Sequence, residues 1–318
     1  MKANILGDAF CDVVVHGIAK LPASFGVGEL CDGVVLSPGG SAFNTAIHLS
    51  SLLAGEVNQV TLFSALGEDV NHWASVLLCN HLGKHGVRFE CVRKPQSATG
   101  ICVVLSGCGD RSFLTSPGAV SQLSLQDLDL TKLADCDHLH VGGTYSLVAL
   151  LPDLAKLLAR VRELRPAITI SMDTNCDSGA EGLPPGVLAL VDYIKMNDME
   201  ARALCGRTRN DKEEEGDVEW LARQVRQAAF VTQGELGCLF ASSLSPKVVV
   251  HQAAFPPAKV VDSVGAGDAF NAGLIASIKA PLQEAVRFAC ACGSIAVTSL
   301  GACEIPVDRD RVVRVFSA

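Results

Sequence analysis

The chain has 318 residues, enough to bury a sizeable core, and its 49% hydrophobic and 19% charged residues exclude a disordered or fibrous protein. A formal charge of −8 at pH 7 argues against general nucleic-acid binding, which needs a basic face to neutralise phosphates. Apolar runs such as residues 13–15 and 101–105 fall short of the roughly 18 residues of a membrane span, and residues 1–8 turn polar too early for a signal peptide, so a soluble, cytoplasmic protein is expected.

In chain order, residues 4–6 and 13–16 predict strands, and residues 44–53 a helix with Ile47, Leu49, Leu52 and Leu53 on or near one face. Residues 60–65 predict a strand and residues 74–82 a helix. The short apolar segments 138–141, 168–172 and 193–196 predict strands, each followed by turn or polar residues. Between them, residues 151–164 form a strongly amphipathic helix closed by Arg165-Pro166. Residues 218–229 predict a helix running into a strand at 230–232, and helices over 265–278 and 284–299 follow. This alternation implies an α/β fold with a mostly parallel sheet, read as one domain over 1–318. Two stretches, about 12–37 and 98–116, carry strands and turns without helices and are expected to form a small separate sheet, such as a lid.

Thirteen cysteines are scattered along the chain, an odd number. Cys290 and Cys292 lack a second Cys/His pair at zinc-site spacing, so the cysteines read as small buried hydrophobes in a reducing compartment.

The most informative segment is Asp262-Ser263-Val264-Gly265-Ala266-Gly267-Asp268-Ala269-Phe270. Small residues let backbone approach a ligand, and the amides at the start of the following helix make an anion site. Asp268 beside them is placed to accept a proton from an attacking hydroxyl, so base and charge stabilisers stand together as phosphoryl transfer requires. A helix entry capped by Asp is the structural alternative. Ser37-Pro38-Gly39-Gly40-Ser41-Ala42-Phe43-Asn44 puts two glycines and an amide at a second helix start, suited to a close polar ligand or to a turn with an N-cap. Asn197 and Glu200 lie three apart after a strand, offering hard oxygens for magnesium or an ordinary capping pair.

Taken together these segments resemble the PfkB, ribokinase-like family of carbohydrate kinases, whose signature Asp-Thr-x-Gly-Ala-Gly-Asp-x-Phe differs here only in Ser263. The resemblance spans essentially the whole chain and implies a three-layer α/β/α ribokinase-like domain with a small β-sheet lid. It implies ATP and Mg²⁺ as cofactors, Asp268 as catalytic base, and Gly265, Ala266 and Gly267 as the anion hole. Asp12, Gly39, Gly40 and Asn44 would bind a sugar, with Arg111 of the lid as a further contact. Asn197 and Glu200 would position Mg²⁺ through water, while Thr232, Gly234, Gly237, Ala291 and Gly301 would border the nucleotide. In some relatives the backbone at Asp262 also lines a potassium site, although the return from Gly301 to Pro306 is short here. A homodimer through the lid is a further expectation.

A Rossmann dehydrogenase is disfavoured because Gly7-Asp8-Ala9-Phe10-Cys11-Asp12 lacks Gly-x-Gly-x-x-Gly, and a P-loop kinase because Gly83-Lys84 is followed by His85. The expected reaction is transfer of the ATP γ-phosphoryl to a primary hydroxyl of ribose, fructose, or a related sugar or sugar acid. A nucleoside kinase of the same family is the alternative. A catalytically inactive sugar-binding protein is a second, but it would be expected to have lost Asp268.

Overall fold

Unbroken apolar strands need cover on both faces, and the molecule supplies it with helices on either side of one large sheet. The computed structural model describes the chain apart from residues 22, 23, 25, 56–58, 108, 109, 176–181, 208–213 and 318. The elements of the first half are β1 (Lys2–Gly7), β2 (Phe10–Ile18), β3 (Gly33–Gly39), α1 (Ser41–Leu52), β4 (Gln59–Gly67), α2 (Trp73–Lys84), β5 (Arg88–Lys94), β6 (Ile101–Gly107), β7 (Asp110–Ser116), α3 (Leu130–Ala134) and β8 (His138–Gly142). There follow α4 (Leu154–Leu164), β9 (Thr169–Asp173), β10 (Tyr193–Asn197), α5 (Asp198–Leu204), α6 (Glu214–Gln224), β11 (Ala228–Thr232), β12 (Cys238–Ser242), β13 (Val250–Gln252), α7 (Ala266–Ala276), α8 (Leu282–Ala296) and α9 (Arg309–Ser317).

The large sheet runs β13-β12-β11-β10-β9-β8-β1-β4-β5, parallel from β11 through β5 and antiparallel only at β12 and β13. Strand β1 sits between β4 and β8, so the chain builds outward from it in both directions. That reversal opens a crevice beyond the carboxyl ends of the strands, where ligands of open α/β sheets bind. One side of the sheet packs Leu6, Val141, Ile170 and Met196 against Leu157 of α4 and Leu221 of α6. The other packs Ile5 and Leu62 against Phe43 and Ile47 of α1, Leu78 of α2 and Ala272 of α7. The three-layer α/β/α architecture is therefore as expected. The two helix-free stretches pair with each other as a separate four-stranded sheet, β3-β2-β6-β7. Among the described residues, no helix is long and apolar enough to cross a membrane.

Several boundaries differ from the sequence reading, and two of the differences have a clear cause. Helix α6 ends at Gln224 rather than at 229, because Asp192 draws the chain out of the helix. Its carbonyl accepts from the amides of Gln227 and Ala228, its carboxylate from Arg226 Nε, and the amide of Arg226 bonds the carbonyl of Val191. Helix α1 begins at Ser41, with Gly40 as N-cap, which moves Asn44 inside the first turn and frees its amide for a tertiary contact.

Candidate functional site

The start of α7 and the start of α1 meet at one carboxylate. Gly265 caps α7 at φ +78°, and a side chain there would collide with the carbonyl of Ala302, so this turn requires glycine. The backbone then enters the helix through Ala266 and Gly267, leaving first-turn amides without helical partners. Asp268 lies in that first turn, and α1 holds both its oxygens: Ser41 Oγ donates to Oδ1 at 2.8 Å and Asn44 Nδ2 to Oδ2 at 2.8 Å. The carboxylate keeps some accessible surface, yet protein atoms crowd it. Burial, with the charge of Asp173 added, pushes its pKa up to about 7 against the opposing bonds from Asn44 and Ser41 and the charge of Lys195. A carboxyl poised there can take a proton near neutral pH.

Strand β2 brings Asp12 beside this pair, directly against Gly39 at the end of β3. Burial, then the charges of Asp8 and Asp268, push Asp12 up to about 7. Gly40 takes φ +102° to turn the chain into α1. The sequence reading missed Asp8, which follows β1 and accepts the Ala42 amide at 2.9 Å, fastening the start of α1 to the sheet. Its burial raises it to about 6. The signal was available: a carboxylate at the carboxyl end of an apolar strand, facing a helix start.

A second missed group lies under α7. Alternate residues of a strand share a face, and here that face is polar: His138 and His140 on β8, Thr169, Ser171 and Asp173 on β9, and Lys195 on β10. His138 bonds Thr169 and Ser171 at 2.8 Å each, and His140 bonds Ser171 at 2.7 Å. The parallel register sets Lys195 next to Asp173. Lys195 Nζ donates to Asp173 Oδ2 at 2.9 Å, and Asn271 Nδ2 of α7 donates to the same oxygen at 2.6 Å. Burial would raise Asp173, but Lys195 and Asn271 overcome it and hold the carboxyl below the usual range. Burial would likewise lower Lys195, and Asp173 and Glu200 outweigh it, keeping the ammonium charged. Among the described residues Lys195 is the one buried lysine or arginine.

Asn197 and Glu200 form a capping box at the start of α5, Asn197 Oδ1 accepting the Glu200 amide and Glu200 Oε2 the Asn197 amide, both at 2.8 Å. Among the described residues no cluster of three or more His, Cys, Asp or Glu could hold a metal ion. Magnesium usually keeps several waters and takes few protein ligands, so a site for it would not need such a cluster. Thr232 ends β11, and Gly234 and Gly237 bracket the turn after it. Ala291 is fully buried in the hydrophobic cluster that α8 shares with α1, α7 and α9, where it lines no open surface and close packing accounts for its size. Asp262 bridges two loops, accepting from the amides of Val264 at 3.0 Å and Gly301 at 3.1 Å. The backbone of Arg111 lies on β7, opposite Ser106; the expectation for its side chain falls outside the described residues. The structure thus brings Asp12, Gly39, Gly40, Asn44 and Gly265–Asp268 into one cluster. Asn197, Glu200 and Thr232 stand at the neighbouring strand ends.

Residues 10–309 match the pfkB family of carbohydrate kinases. The chain belongs to the PfkB family. It is an ATP-dependent carbohydrate kinase, as its motifs led us to expect. Fructokinase-2 of Oryza sativa subsp. japonica is 29% identical over 292 residues, covering 85% of this chain and 82% of that protein. Probable fructokinase-5 of Arabidopsis thaliana is 29% identical over 293 residues, covering 85% of each. The fold is that of ribokinases. The structure of ribokinase from Giardia lamblia superposes with a TM-score of 0.85 at 18% identity, covering 99% of this chain and 98% of the other. Arabidopsis thaliana ribokinase, solved with ribose and ATP, gives 0.80 at 22%, with the same coverage. Within the PfkB family, both helix-start motifs of this chain thus fall at one carboxylate.

Proposed function

We propose that this PfkB kinase transfers the γ-phosphoryl of ATP to a primary hydroxyl of a neutral ketose, with fructose as first candidate and Asp268 as general base. The observation that carries this reading is the grip of Ser41 and Asn44 on Asp268 at the mouth of α7, which points one proton acceptor at the place where anions are stabilised. The acceptor is read as a sugar from the carboxylates around it. Asp12 offers hydroxyls up to about four acceptor sites. Asp8, Asp12, Asp173 and Asp268 act on one another electrostatically, and among the described residues Lys195 is the one buried lysine or arginine, a setting that disfavours sugar acids. Fructose is favoured over ribose by the fructokinases of rice and Arabidopsis, which match over 85% of the chain.

In the transfer, Asp268 receives the hydroxyl proton while the amides from Gly265 to Gly267 stabilise charge on the migrating group. Bound with the nucleotide, Mg²⁺ supplies further neutralisation of phosphate charge, and Asn197 and Glu200 would hold it through water. Thr232, Gly234, Gly237 and Gly301 would border the nucleotide, and Asp262 would support the base loop beside a potassium site. The β3-β2-β6-β7 sheet closes as a lid and excludes water.

The test is acceptor-dependent ATP consumption across fructose, ribose, 2-keto-3-deoxy sugar acids and nucleosides, with the product located by ³¹P NMR. We expect fructose to give the highest kcat/KM and a primary phosphate ester. Preference for a nucleoside would replace the substrate assignment, and no acceptor-dependent turnover at all would overturn the reading.

A further inference from the structure

Lys195 occupies a position that a purely structural ion pair would not need. Its Nζ lies against the backbone of the anion loop: a β-carbon added to Gly267 would sit 2.7 Å from it. Asp173 on β9 fixes the ammonium from below at 2.9 Å, and Asn271 of α7 holds that carboxylate in turn at 2.6 Å. Buried ion pairs are often replaceable by apolar residues with little loss of stability, so what this charge faces is the informative observation. The groups that act on Lys195 are Asp173 from β9, Glu200 from α5 and Asp268 from α7, with His140 of β8 and Cys238 of β12 also within its field. Asp268 is faced by Ser41 and Asn44 from α1, Asp12 from β2, Asp173 and Lys195. Asp8 completes the set through Asp12 and Asp173.

We propose that Lys195 is a positioning residue that sets the charge balance of the transfer: clamped by Asp173 behind Gly267, its ammonium favours the ionised form of Asp268 and the negative charge that gathers at the start of α7. This inference rests on the phosphoryl-transfer reading above. Gly267 then has two reasons to be glycine, amide access for the phosphate in front and room for the ammonium behind. Asp173 serves as anchor, since without it a lysine tail could swing out of the crevice.

The test pairs Lys195→Met with the double variant Lys195→Met/Asp173→Asn, which removes both members of the ion pair together and so guards against misfolding from an unpaired Asp173. Two readouts are taken: steady-state kinetics with ATP and fructose, and the titration of Asp268 by ¹³C NMR of aspartate-labelled protein, its signal assigned by loss in Asp268→Asn. In the single variant kcat should fall roughly 100-fold, the scale of losing one charge-stabilising group, with acceptor KM little changed. The Asp268 midpoint should rise by about one pH unit, a tenfold gain in proton affinity. In the double variant the midpoint should return toward wild type while kcat stays low. Recovery of kcat in the double variant would mean that Lys195 only balances Asp173, and an unmoved Asp268 midpoint in the single variant would equally overturn the proposal. Should wild type phosphorylate no sugar, the kinase reading fails on the kinetic arm while the titration arm still decides what Lys195 does.

Discussion

Asp12 carries the tension between stability and function at the scale of a single residue. Its ordinary pKa is 3.8 and burial lifts it to about 7, so between those values the folded chain holds a proton that the unfolded chain has lost. Stability therefore falls as pH rises through that window and is lowest, for this group, above 7. Asp12→Asn should raise Tm by roughly 3–6 °C at pH 8 and by almost nothing at pH 4, measured by thermal denaturation. The same substitution should raise acceptor KM by roughly 10–100-fold, the scale of charge-assisted hydrogen bonds to a carboxylate. An unchanged KM for every sugar would remove Asp12 from the acceptor site. Asp12, Asn44 and Asp268 were legible because their motifs place them on a strand or at helix starts beside glycines. Lys195 was not, being a lone charge within an otherwise apolar strand, and Asp8 showed only as a carboxylate at the end of one. Even so, the period-2 pattern His138-Leu139-His140, Thr169-Ile170-Ser171-Met172-Asp173 and Tyr193-Ile194-Lys195 did mark one polar sheet face, and only the strand order, which a local reading does not reach, revealed that α7 covers it.

Helix α1 links the Asp268 cluster to the loop after α8. Its His48 is fully buried, with Nε2–H donating to the Ala302 carbonyl at 2.9 Å and Nδ1 accepting the Val307 amide at 3.1 Å. Burial, chiefly, lowers its pKa to about 4, so the neutral ring is the working form. The stability this gives is present above pH 6.5 and lost as pH falls from there toward 4. His48→Ala leaves a buried amide and carbonyl unpaired, which should destabilise by about 2–4 kcal/mol in urea denaturation at pH 7.5. Near pH 4 that difference should shrink; a constant difference across pH would show that ring packing, not the two bonds, holds the loop. Element boundaries were less legible than element types. The end of helix α6 was placed five residues too far because the apolar pattern continues through Ala228 and Ala229, while Asp192, distant in sequence, decides where it stops.

Over the whole molecule, the small sheet leaves apolar side chains in solvent: Val34 and Leu36 on β3 and Phe113 and Leu114 on β7, each more than half exposed. These two strands are the sheet's edges, and exposed apolar edges invite pairing. A homodimer through the lid is accordingly our proposal. Sedimentation should give a dimer at micromolar concentration, and Leu36→Asp with Leu114→Asp should give a monomer; a monomeric wild type would remove the proposal. The small sheet also touches the loop after α8, since Ser37 Oγ donates to Glu304 Oε1 at 3.1 Å. Its two segments were visible as helix-free stretches of the chain, but the parallel pairing of β2 with β6 that joins them spans some ninety residues and leaves no local trace.

The most direct test of the account is turnover of Asp268→Asn with saturating ATP and fructose, alongside fructose binding by calorimetry. Loss of the proton acceptor should lower kcat by roughly 10²–10⁴-fold while fructose affinity changes little. Near-normal turnover in this variant would contradict the assignment of Asp268 as base.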